Sequence, residues 1–175
     1  MSGPLLRYLE RLVGNRATAR DLLQETLSRI ASGLPGFEGR SSVRTWSFSV
    51  ATRVAADHFR RPENRAQIAQ IIDVGELAEA SDEVETDERL IVDEMNACVR
   101  AVIDGLPADY RAALVLHDLE ELTAAETARV CGCSVDTAKI RIHRARQRLR
   151  QALEAECCFY RDRRGAVRCD RKQKR

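Results

Sequence analysis

Apolar side chains recur every three to four positions along most of this chain, and clusters of Gly, Pro and Asn reset the phase. Leu5, Leu6, Leu9, Leu12 and Val13 share one helical face, which Gly14-Asn15 closes. Thr18, with Asp21 three residues on, predicts the N-cap of a second helix running to about Ala31. Its inner stripe is Leu22, Leu23, Thr26, Leu27 and Ile30, which leaves Asp21, Gln24, Glu25 and Ser28 outside. Gly33, Pro35, Gly36 and Gly39 make residues 32–40 a loop. Ser41 or Ser42 then caps a long helix that ends before Pro62. Val43, Trp46, Val50 and Val54 follow one stripe of it, and Phe48, Ala51, Ala55 and Phe59 a second. A helix apolar on two sides belongs inside a bundle, and Trp46 is expected in that core.

Residues 63–86 mix short apolar patches with Asp and Glu and read as a tether with marginal helix. A helix follows from about Asp87, with Leu90, Ile91, Met95, Cys98, Val99, Val102 and Ile103 inward, and Gly105 stops it. Leu106-Pro107 opens the next, through about Asp118. Thr123-Ala124-Ala125-Glu126 is a capping box for a helix of about eight residues. Cys131-Gly132-Cys133 breaks that helix, and Ser134 caps a longer one. Short helix, glycine turn and longer helix is the helix-turn-helix plan. In the longer helix Val135, Ala138, Ile142, Ala145 and Leu149 face inward. The opposite side presents Lys139, Ile140, Arg141, His143, Arg144, Gln147 and Arg148, a cationic surface suited to the major groove. A solvated amphipathic face is the alternative reading, and the cap, the turn and the helix lengths together weigh against it. The fold class is therefore all-α: two small helical domains joined by a flexible acidic linker, the second holding the helix-turn-helix. No internal repeat is visible, and only the tail is a candidate for strands.

Composition sharpens the picture through the placement of charge. Hydrophobic residues make up 44% and charged residues 32% of 175, which marks a soluble, foldable chain. Residues 1–62 carry 10 Lys+Arg against 5 Asp+Glu; residues 63–105 carry 3 against 12; residues 106–175 carry 16 against 10. A polyanion could bind both ends but not the middle. Neither a membrane span nor a secretory leader is read, so a cytoplasmic location is expected. His58, His117 and His143 are scattered, with no phosphate loop or nucleophile elbow, so no enzyme is expected. In the first half Arg40, Arg44, Arg53, Arg60 and Arg61 alternate with aromatics, a composition that suits unstacked bases of an opened strand.

These residues resemble a known family. Asp21-Leu22-Leu23-Gln24-Glu25 resembles the polymerase-binding signature of sigma region 2. The run from Phe37 through Trp46 to Ala51, then Asp57 to Arg61, resembles its promoter-melting part. Leu106-Pro107, Tyr110-Arg111, Leu122-Thr123, Glu126 and the run from Ser134 to Arg146 resemble sigma region 4. The chain is thus similar to an extracytoplasmic-function (ECF) RNA polymerase sigma factor with regions 2 and 4 only. The resemblance implies domains at 1–62 (region 2), 63–99 (linker and connecting helix), 100–153 (region 4) and 154–175 (a Cys-containing basic tail). It implies that Asp21, Gln24 and Glu25 bind core RNA polymerase. Phe37, Arg40, Arg44, Arg53, Arg60 and Arg61 would bind −10 DNA and the melted non-template strand. Thr137, Lys139, Ile140, Arg141, His143, Arg144 and Arg148 would read the −35 duplex. The class also admits an anti-sigma factor as a partner, and the sequence does not choose. Arg53 stands where many relatives carry Asn, and Asp136 where a small residue is common.

A stand-alone helix-turn-helix regulator is the competing reading; it would bind a palindrome without polymerase. Cys157, Cys158 and Cys169 are the candidates for zinc or redox chemistry, with Gly165 able to turn a hairpin that brings them together. The plainer reading treats Cys98, Cys131 and Cys133 as small buried hydrophobes and expects no cofactor.

Overall fold

The structure, a computed structural model, describes residues 2–61, 99–161, 163–165 and 167–172. The acidic linker, Pro62, Cys98 and the apolar face from Leu90 to Cys98 lie outside the described residues. Helix α1 (Ser2–Val13) buries Leu5, Tyr8, Leu9, Leu12 and Val13, close to the predicted stripe. Gly14 leaves it at φ +68, a conformation that glycine adopts without strain. Helix α2 spans Arg16–Gly33. Its N-cap is Asn15, not Thr18: the Asn15 side chain accepts the Thr18 N–H at 3.0 Å. Asparagine caps as well as threonine and here lies one position outside the helix, so Thr18 becomes the donor at N3.

Helix α3 (Val43–Arg60) is capped by Ser42, whose Oγ accepts the Thr45 N–H at 3.0 Å. Phe48, Ala51, Val54 and Ala55 form its buried face. Val43 is exposed and Trp46 half-buried, so the stripe that begins with them enters the core only at its C-terminal end. Tyr8 locks α1 to α3: its ring meets Phe48 edge-on at 5.3 Å, and its hydroxyl bonds Thr52 Oγ1 at 2.8 Å. A fully buried Tyr needs such a partner for its hydroxyl.

Residues 99–104 are helical, and Pro107 opens α4 (Ala108–Leu114). The next five residues, Val115–Leu119, widen into a π-helical turn instead of continuing to Asp118 as α-helix. This bulge lets Leu114, Val115 and Leu116 all be buried. Helix α5 (Ala124–Cys131) shows the capping box in full, and Gly132 ends it at φ +63. Helix α6 (Val135–Glu156) follows Ser134, whose side chain accepts from Thr137 N. Ala138, Ile142 and Ala145 are buried against α4 and α5, Leu149 is half-buried, and Val135 is exposed because it occupies the first helical position beyond the turn.

Helix α6 runs directly into β1 (Cys157–Arg161), which pairs antiparallel with β2 (Val167–Arg171). Otherwise the described residues are helical or loop, in a region 2-like unit (α1–α3) and a region 4-like unit (α4–α6). The two units share a continuous apolar core. Leu9, Leu12 and Phe48 from one belong to the same buried cluster as Leu114, Leu116 and Leu122 from the other.

Candidate nucleic-acid interface

The loop between α2 and α3 builds the first candidate surface. A single 3-10 turn, Leu34–Gly36, folds the chain so that Phe37 packs on Trp46, with ring centroids 5.1 Å apart and planes tilted by 44°. Gly33 makes room for the indole, since a Cβ there would lie 3.1 Å from Trp46. Phe37 and Trp46 thereby line a cleft of about 210 Å³ together with Gly33, Gly36, Glu38, Arg40 and Ser41. Trp46 is a wall of this cleft rather than core, a role hidden in the sequence because helical periodicity alone assigns it to a buried stripe. Aromatic faces beside a guanidinium suit an unstacked base. Arg40 is exposed and sits 3.1 Å from Glu38; Arg53, Arg60 and Arg61 are exposed along α3, with Arg60 3.2 Å from Asp57.

Arg44 is turned elsewhere. It donates to the Glu120 carbonyl, sits 3.7 Å from the Glu120 carboxylate, and lies over the Phe48 ring. Glu120 is only 4% exposed, and burial pushes its carboxyl above the usual range, with Arg7, Arg44 and Arg11 pulling back. Next to it Glu121 is held at φ +54, a region that non-glycine residues enter at a cost of about 1–3 kcal/mol. Thr45 Oγ1 donates to Glu126 at 3.0 Å, and Arg129 donates to the Arg40 carbonyl at 3.4 Å. Of the six predicted −10 residues, Arg44 is thus engaged through its side chain by the region 4-like unit, and Arg40 through its backbone carbonyl alone.

A buried arginine completes this joint. Arg111 Nη1 donates to the Leu12 carbonyl at 3.0 Å, and Nη2 donates to Leu106 at 3.0 Å and to Asp104. The Leu12 carbonyl belongs to the last turn of α1, where helix carbonyls lack intrahelical donors and the dipole is negative. Burial lowers the Arg111 pKa, and Asp104 opposes that shift.

Helix α6 carries the second surface. Lys139, Ile140, His143, Arg144 and Gln147 are exposed on its outer side, with Ile140 51% exposed. The other predicted readers have partners within the protein. Arg141 donates to Asp109 at 2.6 Å, Arg148 lies 4.9 Å above the Tyr110 ring, and Thr137 belongs to the Ser134 cap. Arg146, not singled out from the sequence, grips Asp118 through two bonds, one of them 2.8 Å. These contacts fix α6 on α4 and the π-turn. The third surface is the outer side of α2, where Asp21 and Gln24 are exposed and Glu25 accepts from Arg29 at 2.6 Å.

The described cysteines do not form a fourth. Residues Cys157 and Cys169 share one face of the hairpin, on diagonal positions of the register, while Cys158 falls on the other face. Three thiolates on opposite faces of one ribbon cannot converge on an ion. Diagonal neighbours lie about 7–8 Å apart, outside the usual span of a disulfide. Cys131 is half-buried, and burial pushes its thiol up to about 11, which disfavours the thiolate.

The family model described as sigma-70 region 2 matches residues 2–65, and that described as sigma-70, region 4 matches residues 96–149. The RNA polymerase sigma-H factor of Pseudomonas aeruginosa is 33% identical over 155 residues, covering 86% of this chain and 80% of its own. The ECF RNA polymerase sigma factor SigC of Mycobacterium tuberculosis is 36% identical over 132 residues, covering 75% of this chain and 68% of its own. Among solved structures, the sigma factor RpoE in complex with the anti-sigma factor NepR from Bartonella quintana shares the fold, at TM-score 0.69 and 23% identity, covering 87% of this chain and 91% of that one. CnrH in complex with the cytosolic domain of CnrY superposes at TM-score 0.60 with 21% identity, covering 87% and 81%. A region 2 unit, a region 4 unit with its helix-turn-helix, and relatives matched through both show that the chain belongs to the ECF RNA polymerase sigma factors, non-catalytic factors that bind core polymerase and direct promoter-specific transcription initiation.

Proposed function

We propose a division of labour among the named residues. Lys139, Ile140, His143 and Arg144 meet the −35 duplex in the major groove, while Thr137, Arg141 and Arg148 hold the reading helix in shape. Phe37, Arg40 and Trp46 take an unstacked base of the melted −10 strand into their cleft, and Arg44, Arg53, Arg60 and Arg61 neutralise phosphates around it. Asp21, Gln24 and Glu25 meet the polymerase in the cytoplasm, an acidic and amide-bearing face suited to an arginine-rich partner. The observation that carries this reading is the Phe37–Trp46 cleft beside Arg40, in a chain that also holds a capped helix-turn-helix with a cationic outer face.

The joint between the units adds a condition. Arg44 cannot serve promoter phosphates while it bonds Glu120, so promoter engagement must break this contact between α3 and the loop before α5. An anti-sigma factor that clasped both units would keep them together. One structural neighbour, the sigma factor RpoE from Bartonella quintana, is bound to the anti-sigma factor NepR. The test is promoter-directed transcription in vitro with bacterial core polymerase, using wild type and Gln24→Ala/Glu25→Ala. Discrete starts with wild type and their loss in the variant are expected. Wild type binding a palindrome without polymerase, and starting nothing, would overturn the assignment of these surfaces.

A further inference from the structure

The hairpin at residues 157–171 lies beyond the stretch matched by the region 4 model, which ends at residue 149, and neither promoter surface uses it. Residues 157–175 carry 8 Lys+Arg against 2 Asp+Glu. Arg161, Arg163 and Arg164 cluster at its tip, all exposed, beside Gly165 at φ +78. Arg161 donates to the Gly165 carbonyl at 2.9 Å and closes the turn. The hairpin is fixed to the reading helix rather than strung from it. Cys157 is 3% exposed at the junction, its N–H bonds the Leu153 carbonyl, and Lys172 Nζ reaches back to the Glu154 carbonyl at 2.5 Å. A cationic tip held in one orientation loses little entropy on binding.

We propose that this hairpin is a second duplex-DNA contact, gripping backbone phosphates about one helical turn from the −35 element. Two features favour a phosphate backbone over a protein partner. Phe159 and Tyr160 are both nearly half exposed, yet they are adjacent in a strand and therefore project to opposite faces. Phe159 shares its face with Cys157 and Cys169 but also with the exposed Arg161, and Tyr160 lies on the other, so the two exposed aromatics do not join in one apolar patch of the kind that forms the core of a protein interface. The outer side of α6 is also cationic from Lys139 through Arg144 to Arg150, all exposed, and the hairpin follows that helix directly in the chain. Laid end to end, the rest of α6 beyond Arg144, about 18 Å, and one strand, about 17 Å, bound the reach at about 35 Å, enough for one duplex turn of roughly 34 Å. The inference rests on the −35 assignment of α6.

The test uses holoenzyme formed from the full chain and core polymerase on a long promoter fragment, comparing wild type with Arg161→Ala/Arg163→Ala/Arg164→Ala. Hydroxyl-radical footprinting should show a backbone patch about one turn from the −35 contact that the variant loses, with the rest of the footprint intact. Affinity should fall several-fold, and the slope of log K against log salt should shrink by about two to three. The charge-keeping variant Arg161→Lys/Arg163→Lys/Arg164→Lys should retain most of the patch. An unchanged footprint and slope would overturn the proposal. So would weakened core binding with an unchanged slope, which would assign the hairpin to a polymerase surface. If Lys139→Ala/Arg144→Ala left −35 protection unchanged, the assignment of α6 itself would fail, separately from the hairpin.

Discussion

Replacing Arg111 with methionine isolates what the joint between the two units is worth. Methionine keeps an apolar stem of similar length and removes the guanidinium. Four carbonyls then lose a donor: Leu12, Leu106 and Asp104, and Arg11 at the long distance of 3.5 Å. Hydrogen bonds to a charged group contribute about 1.5–3 kcal/mol each. Arg111 is only 8% exposed, however, and taking its charge out of water, which also lowers its pKa, consumes part of that gain. The four bonds are also not additive, since two pairs share one nitrogen each. A net loss of about 2–4 kcal/mol follows, towards the upper end for single substitutions, where breaking a buried hydrogen-bond network belongs. Urea unfolding measures it directly as a drop in midpoint at constant m. Because Arg111 ties α4 to the end of α1, the variant should also unfold in less coincident steps when α1–α3 and α4–α6 are followed by separate probes. A loss below about 0.5 kcal/mol, with the transitions still coincident, would refute the view that this guanidinium couples the units.

Three further outcomes test the remaining assignments. Trp46→Ala should weaken binding of single-stranded −10 DNA by holoenzyme about 10- to 100-fold, the equivalent of about 1–3 kcal/mol of stacking, while −35 binding stays as it was; filter binding with short oligonucleotides measures both. Arg144→Ala should reduce promoter affinity and shrink the salt slope by about one, whereas Arg141→Ala should act first on the stability of region 4 through loss of Asp109, which thermal melts of the free protein separate from DNA binding. Burial raises the folded-state pKa of Glu120 above its unfolded value, so its contribution to stability is full below the unfolded pKa and is lost as pH rises through the folded one. Glu120→Gln should therefore gain stability relative to wild type as pH rises through that window, and urea midpoints measured across pH would refute this by showing a constant difference.

The sequence by itself determined the local elements and their capping chemistry. Caps and breaks depend on residues within four positions of one another, so Ser42, Ser134, the Thr123–Glu126 box and Gly132 were legible as punctuation. The cationic outer face of α6 was legible for the same reason, being a property of one helix. Local logic misplaced Trp46 and Val43, because a stripe at helical spacing does not reveal where the bundle stops covering it. It also gave Thr18 the cap that Asn15 makes one turn earlier. What only tertiary structure decided is which of the cationic residues are already engaged. Arg141 and Arg148 look like Arg144 in the chain, yet they meet Asp109 and Tyr110, which lie more than thirty residues away in sequence. Arg44 meets Glu120, and Arg111 meets the carbonyl of Leu12, across still longer separations. No periodicity encodes such pairs. They are set by how two helical units bury a common apolar core, which brings a buried carboxylate to one arginine and an orphaned helix carbonyl to another.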